Sequence, residues 1–600
     1  MRVFSMPQNT LPGQAMLTAP ANQNPLTFSP FSTDAFARAR TRNVPVFLLI
    51  GDHPEALLDP ALAMHLVERT IPVHLRPGER PDVEMLCQRA GVLFSSEGAL
   101  PLCALMTADA LPFLAAPLPP SGFPLDPARL QVWLAQADRR FLQNTPACTA
   151  QAAQVVHSFK HTSLSKPYSP SDAAHDLSRA LEAIEDRKNG GFGEIKTTFV
   201  CGLQFAQHAA ARGSKTMSRA FSRAIDAMLA SALYDPLDGG FFRATLTDDW
   251  RVFVPEKPLG INALLAMCLL SSGRRSEAVH TLDFLLNAFS LNGGGLSPTV
   301  SAPKETYAFS VQQVCAALGS ENGLRACRLL SLLRQHTQDE PDVIPSRFSP
   351  VRTSTITSRK KPDADNESAR YPILPSPLTP EDSAFLRRVM PQLLRARAAR
   401  MPQKPQPHVI TEHCALAAAV LAQCGRRLGE PRYTQAAQRA VSFLISQPPA
   451  MRDPMPLPAS AYPSSPIHAQ ATCGASAALA LAQLTLGENE GMEEYAQSGL
   501  RLLHAALHTF VRTDALVMHT SKDPAAFFPR VPAIYDSELP SPAALLVRCL
   551  RIADRICPQA QYQQAIERIW EAAAPAVKAQ PLACAALIDA MTEDEKHAGS

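Results

Sequence analysis

No two cysteines of this chain stand close enough to form a CxxC pair; the nearest, Cys549 and Cys557, are eight apart. That excludes a zinc ribbon and a dithiol redox motif of the thioredoxin type. The 13 cysteines are odd in number and scattered, which predicts reduced thiols in a cytoplasmic protein rather than a disulfide framework. Net charge is lacking too. With 57 Lys plus Arg against 54 Asp plus Glu, the chain is too balanced for nucleic acid to be its main partner. No apolar run reaches the length of about 18 residues that a membrane span requires. The start, Met1 to Phe28, is broken by Pro and Asn and has no cationic end followed by an apolar run, so no signal peptide is expected. Glycine is scarce, 27 against 54 prolines. Loops are therefore stiff, and positions where φ > 0 costs little are few.

What is present divides into two textures. At 600 residues the chain exceeds a single compact core. Its first part carries short β-type runs between turn signals: Val44 to Ile50 ending at Gly51, Thr70 to Leu75, and Leu102 to Met106 entered through Pro101. Helical patterns at Pro60 to Arg69 and Pro81 to Ala90 separate them, which predicts a small α/β domain. From about Ala150 onward, Ala/Leu-rich helices take over and repeat. Cys414 to Gly429, Gly474 to Gly487 and Ser541 to Asp554 are similar helices. Each is followed by a partner opening near Tyr433, Tyr495 or Tyr562, at steps of 62 and 67 residues. Earlier, Gly190-Gly191, Gly239-Gly240 and Gly293-Gly294 recur at 49 and 54 residues, each after a predicted helix. Such repetition predicts amphipathic α-hairpins stacked into a ring or solenoid. Two stretches, 338–382 and 447–466, lack any hydrophobic period and are expected to be irregular loops.

These motifs resemble the spermatogenesis-associated, YyaL-type family, which joins a thioredoxin-like domain to a six-hairpin (α/α)6 toroid. Asn24-Pro25, Pro30-Phe31 and Ala35-Phe36-Ala37-Arg38-Ala39 look like its opening, and Glu79-Arg80-Pro81-Asp82 reproduces its most specific turn. Leu100-Pro101-Leu102 resembles its entry to the next strand, which makes Pro101 a candidate for a cis peptide bond. Asp186, Gly190-Gly191-Phe192-Gly193 and Lys196 are similar to a second signature. Tyr234-Asp235, Gly239-Gly240-Phe241, Arg243, Trp250 and Glu256-Lys257 are similar to a third. The resemblance implies a leader over 1–24, a thioredoxin-like domain over 25–145 and a toroid over 150–600.

The chain departs from the family where chemistry would sit. In place of Cys-His-Trp-Cys-His it reads Asp52-His53-Pro54-Glu55-Ala56, so the thiolate that disulfide exchange requires is missing. Cys87 and Cys103 lie far from that position and are expected to be buried hydrophobes. Phe242 and Val254 replace histidines, and Gly260-Ile261-Asn262 stands where the family has Tyr-Asp-Asn. The later Leu-Thr-Ser-Trp-Asn-Gly-Leu signature appears as Ile410-Thr411-Glu412-His413-Cys414-Ala415-Leu416. Polar positions are lost while the hydrophobic framework remains, the pattern expected of a pseudoenzyme.

Two functions from different classes follow. The first is a non-catalytic family member that binds a small molecule or a protein partner, with no cofactor, no metal, no nucleic acid and no membrane. The second is a carbohydrate-active toroid enzyme using Glu256 and Asp235, the best remaining carboxylate pair, since glycoside chemistry needs two carboxyls across one pocket. Arg243, Trp250, Lys257 and Asn262 are the expected pocket residues beside them. The competing reading of Glu256 is an ion pair with Lys257 or Arg243 that holds a loop. His504 with His508, and His157 with His161, have i, i+4 spacing but no third ligand, so they predict ordinary histidines.

Overall fold

The computed structural model describes residues 26–333, 370–374 and 378–593, apart from 53, 58, 121, 194, 401, 452–455, 464–469 and 523–526. The leader expected over 1–24 and most of the loop expected over 338–382 lie outside the described residues.

The first domain alternates α1 (Thr33–Arg42), β1 (Val46–Ile50), α2 (Pro60–Arg69), β2 (Ile71–Leu75), α3 (Pro81–Ser95), β3 (Leu102–Met106), β4 (Pro112–Pro117), α4 (Pro127–Gln143) and α5 (Thr145–His157). Its sheet has the order β2-β1-β3-β4, with β1 parallel to β2 and antiparallel to β3. This is a thioredoxin-like arrangement. The pleat of β1 sends its side chains alternately to two faces. Phe47 and Leu49 join Leu62 and Leu66 of α2 and Leu134 of α4, while Val46, Leu48 and Ile50 join Val83 and Leu86 of α3. The strand β4 was not expected, because its sequence begins and ends in proline. It forms the sheet's edge, where a missing N–H costs no ladder bond. The domain also runs past residue 145: Cys148 and Ala152 of α5 pack into the same core as Phe113 and Trp133. Much of the proline content opens helices, with Pro60, Pro81, Pro127 and Pro146 in first turns, where no N–H is missed.

The second domain is built of hairpins. In chain order they are α6 (Pro170–Ile184), α7 (Val200–Ala211), α8 (Lys215–Leu229), α9 (Leu259–Ser271), α10 (Arg275–Ala288), α11 (Val311–Leu318), α12 (Ser320–Leu329) and α13 (Pro380–Arg400). Then follow α14 (Thr411–Leu428), α15 (Pro431–Ser446), α16 (Cys473–Glu490), α17 (Glu493–Phe510), α18 (Pro542–Ile556), α19 (Ala560–Ala579) and α20 (Ala585–Thr592). Helices α7, α9, α14, α16, α18 and α20 pack on one another in that order, and α20 packs back on α7, closing a ring. Each inner helix has an outer partner, with α6 from the start of the domain serving α20 from its end. The result is a six-hairpin toroid. Helices α11 to α13 form a side module with a separate small core around Phe385 and Leu393, which lets α9 touch α14 directly.

Composition explains which helices lie inside. Leu259 to Ala266 of α9 and Cys414 to Ala422 of α14 are buried without a break, as expected of helices apolar on every face. Outer helices such as α8 bury one stripe only, Met217, Ala220, Phe221, Ala224, Ile225 and Met228. The closure is pinned by Asp589 of α20, fully buried, which accepts from His208 Nδ1 of α7 at 2.9 Å and Arg548 Nη2 of α18 at 3.0 Å. No helix among the described residues is long and apolar enough to cross a membrane.

Candidate functional site

The three Gly-Gly turns follow the outer helices α6, α8 and α10, and the first two share one device. Asp186 Oδ2 receives Lys196 Nζ at 2.8 Å, and that ammonium also donates to the carbonyl of Gly193 at 2.8 Å. At the next turn Asp235 Oδ2 receives Lys257 Nζ at 2.7 Å, and Lys257 donates to the carbonyl of Gly239 at 2.9 Å. Arg397 of α13 adds a second cation to Asp235 at 2.9 Å. Glycine is required at these turns by conformation and by space. Gly191 and Gly240 have φ of 75° and 76°, and a Cβ on them would stand 2.5 Å from Trp250 and Phe284 respectively. Trp250 Nε1 donates to the carbonyl of Asn189 at 2.9 Å, tying the first turn down. Asn262 brackets the second, accepting from Phe241 N at 2.6 Å and donating to Phe241 and Pro258 carbonyls. Asp235, Trp250, Lys257 and Asn262 therefore hold the framework.

Glu256 and Arg243 sit differently. Strand β7 (Glu256–Pro258 in the numbering that follows β5, Lys196–Thr197, and β6, Ala244–Thr245) alternates its side chains. Lys257 turns inward to Asp235, and Glu256 turns to a cavity of ≈ 230 Å³ between the two domains. Arg243 Nε donates to Glu256 at 3.0 Å, and Arg243 Nη1 pairs with Glu538. Burial would lower the guanidinium's proton affinity, yet Glu538 and Glu256 hold it above its ordinary range. The thioredoxin-like domain supplies the remaining wall: Gly51 and Asp52 after β1, Pro101 before β3, and Pro77, Pro119, Pro120 and Phe123. The Leu100-Pro101 peptide is cis, as the entry motif predicts. Asp235 is not among the residues lining this cavity, so the structure does not bring Glu256 and Asp235 together in it.

The cavity lies where the first domain covers the mouth of the ring. Gly122 meets Pro255 ahead of α9, and Gly78 meets Ile410 and His413 at the start of α14. Ser460 Oγ donates to the carbonyl of Glu79 at 2.7 Å. Phe31 packs against Phe527 and Phe528, and Arg89 donates to Gln580 at 3.0 Å. The chain segments leading into five inner helices thus all touch the thioredoxin-like domain.

Further titratable groups collect at this junction, none of them singled out by the sequence. Burial pushes Glu84 of α3 up to about 7, although its Oε2 accepts from Gly78 N at 3.0 Å, and Glu538 adds to the rise. Burial and then the neighbouring Glu84 bring Glu412 of α14 up to about 7 as well. His413 and His408 are pushed down to about 4, mainly by burial. Both glutamates are only half-buried by surface. The available signal was Glu412-His413 at the head of a helix whose following nine residues are all apolar.

No thiol serves the site. All 13 cysteines are free, and only Cys557 is exposed. Burial raises the thiol of Cys87 far above its usual range and pushes Cys103 up to about 12. His504 stacks on Tyr562, and His161 contacts Tyr535 beyond the end of α5. Among the described residues no group of three or more His, Cys, Asp or Glu could hold a metal ion.

The model of the Thioredox_DsbH family, described as a protein of unknown function, DUF255, matches residues 14–160. An uncharacterized protein of Caenorhabditis elegans is 23% identical over 265 residues, 39% of this chain and 35% of the relative. Human spermatogenesis-associated protein 20 is 24% identical over 330 residues, 48% of this chain and 42% of the relative. The chain thus spans well under two thirds of the length of these relatives. The crystal structure of a D-mannose isomerase superposes with a TM-score of 0.40 at 10% identity, covering 67% of this chain and 85% of that one. These findings support the spermatogenesis-associated family that the motifs suggest.

Proposed function

We propose that this protein is a non-catalytic, ligand-binding member of its family, taking a small neutral molecule with hydroxyl groups at one end into the cavity between its domains. The observation that carries this reading is the make-up of that cavity. Pro77, Pro101, Pro119, Pro120 and Phe123 offer flat apolar walls, and Arg243, Glu256 and Asp52 form one charged end. An anion would meet Glu256 and Asp52, and a cation would meet Arg243, so neither sign of charge is favoured. Hydroxyl groups can accept from the guanidinium and donate to the carboxylates. A mostly apolar pocket with a few convergent polar groups is the usual form of a small-molecule site.

The absence of catalysis in this reading is supported by the state of the groups that would perform it. The carboxylate of Asp235 is occupied by Lys257 and Arg397, and Glu256 is paired with Arg243. Asp52 stands where thiol chemistry would need a cysteine. A cytoplasmic setting belongs to the same proposal, and the free cysteines support it.

The test is a thermal-shift screen of neutral sugars and hydroxylated metabolites against the wild type, Glu256→Gln and Arg243→Gln. A compound that raises Tm of the wild type and loses that effect in both variants supports the proposal. Equal stabilisation of all three proteins overturns the assignment of the cavity. Conversion of a hit to product during incubation overturns the non-catalytic part.

A further inference from the structure

The two ends of the interdomain cavity come from different domains and differ in what they can offer a ligand. Its apolar walls belong to the thioredoxin-like domain alone, whereas Arg243 and Glu256 belong to the ring. The walls are poor in donors. Pro77, Pro101, Pro119 and Pro120 have no N–H to give. Gly51 N donates to the carbonyl of Leu75 at 3.2 Å, Leu118 N to that of Pro101 at 2.7 Å, and Phe123 N to that of Pro120 at 3.1 Å. The carbonyl of Gly51 is taken in turn by His74 Nε2 at 2.7 Å. A hydroxyl pressed against these walls leaves water and finds none of these donors. Each such unpaired group weakens binding roughly tenfold to a hundredfold.

The charged end supplies what the walls lack. Arg243 Nε donates to Glu256 Oε2 at 3.0 Å, and Arg243 Nη1 pairs with Glu538. Arg243 Nη2 and Glu256 Oε1 make no hydrogen bond with a described residue. They are a donor and an acceptor held close together by the bond between their neighbours. Hydroxyls on adjacent carbons match such a pair, one accepting from the guanidinium and the other donating to the carboxylate. Bonds to charged partners are the stronger ones, so this end fixes the ligand's orientation. Size sets the second limit. At ≈ 230 Å³ the cavity is smaller than the roughly 300–1,000 Å³ of pockets that enclose drug-sized ligands. It has room for one ring with a short arm.

We infer that the ligand of this cavity is a single-ring aryl vicinal diol, its ring among the prolines and Phe123 and its two hydroxyls on Arg243 and Glu256. The inference rests on the small-molecule reading of the cavity and narrows it. A free sugar carries hydroxyls on every side and must turn several of them to the donor-poor walls. An aromatic ring instead buries a flat apolar body there and meets the Phe123 ring. A second ring exceeds the volume. Neither domain alone presents both halves of the site, so the diol binds across the junction and only to the docked pair.

Saturation-transfer NMR on the intact protein tests the inference with three compounds: styrene glycol, its biphenyl analogue and glucose. Styrene glycol is expected to bind the wild type at least roughly tenfold more tightly than either of the others. Glu256→Gln and Arg243→Gln should each weaken it roughly tenfold. Phe123→Ala should lower saturation of its phenyl protons relative to its carbinol protons, a change that general loss of folding does not produce. Glucose or the biphenyl diol binding at least as tightly as styrene glycol, with the dependence on Glu256 and Arg243 kept, overturns this inference and leaves the small-molecule reading standing. Binding of none of the three, or binding that neither charged-end variant weakens, overturns both. The comparison of compounds on the wild type decides the matter even where a variant fails to fold.

Discussion

Glu256 and Lys257 are neighbours in the chain and belong to different worlds in the fold. Lys257 Nζ lies 2.7 Å from Asp235 in the closed interior, and Glu256 lies 3.0 Å from Arg243 Nε at an interdomain cavity. The separation is a consequence of strand pleat alone. It divides a motif that reads as one site in the sequence into a structural half and an accessible half.

The structural half makes the first prediction. Lys257 and Asp235 are almost fully buried, with side-chain exposures of 0% and 3%. Replacing Lys257 with Met leaves Asp235 with Arg397 and the Leu237 N–H but without its ammonium partner, and should cost about 3–5 kcal/mol. Burial works to raise the Asp235 carboxyl, but Arg397 and Lys257 outweigh it and hold the group below its ordinary 3.8. Its contribution is therefore present above pH 3.8 and lost on further acidification. Urea unfolding of the variant measures the cost. A variant as stable as the wild type would show that the lysine is dispensable to the turn.

Thiol chemistry gives the second prediction. Only Cys557 is exposed, Cys315 is half-buried and the other cysteines are buried. Ellman's reagent should label one thiol rapidly in the native protein and all 13 after denaturation. Cys557→Ser should remove the rapid phase. The protein should not reduce insulin with dithiothreitol, and turnover that vanishes in Cys87→Ser would contradict the thiol assignment.

How much of this was legible follows from the range of each interaction. Strands β1, β2 and β3 announce themselves because Val46 to Ile50, Ile71 to Leu75 and Leu102 to Met106 are short apolar runs bounded by turns. Strand β4 hid behind Pro112 and Pro117, whose meaning depends on its being at the sheet edge. The inner helices show through their Ala/Leu content, and Gly190-Gly191 and Gly239-Gly240 mark the turns between hairpins. The partners of Asp235 were only half visible. Lys257 is in the same motif, whereas Arg397 arrives from the side module far along the chain. Glu84 and Glu412 could not be singled out from sequence, since nothing local to either residue says that two domains meet there.

The third prediction exploits the tight fit at the head of α16. A Cβ on Gly474 would stand 2.0 Å from the Glu412 carboxylate and 2.5 Å from its Cδ. Gly474→Ala should therefore destabilise by about 1–3 kcal/mol, despite the gain in helix propensity. Glu412→Ala opens the space, so the same substitution in that background should be neutral or stabilising. A double-mutant cycle should return a coupling of about 1–3 kcal/mol. Additive effects would mean that Glu412 moves aside at no cost.

The last prediction concerns acid. His519 is 4% exposed, and neither ring nitrogen has a hydrogen-bond partner among the described residues. Burial pushes it from 6.5 down to about 4, against the pull of the Asp82 carboxylate toward the charged form. Between those two values the unfolded chain binds the proton and the folded chain does not, so stability falls as pH drops from 6.5 to 4. One group shifted this far contributes about 3 kcal/mol across the window. Glu84 and Glu412 act in the opposite sense between 4.5 and about 7, so the wild-type profile alone mixes the effects. The difference between wild type and His519→Leu isolates the histidine. Urea unfolding at several pH values should show the variant gaining on the wild type by about 2 kcal/mol as pH falls from 6.5 toward 4.5. A difference that stays constant with pH would mean that His519 titrates alike in both states and is not held neutral by the fold.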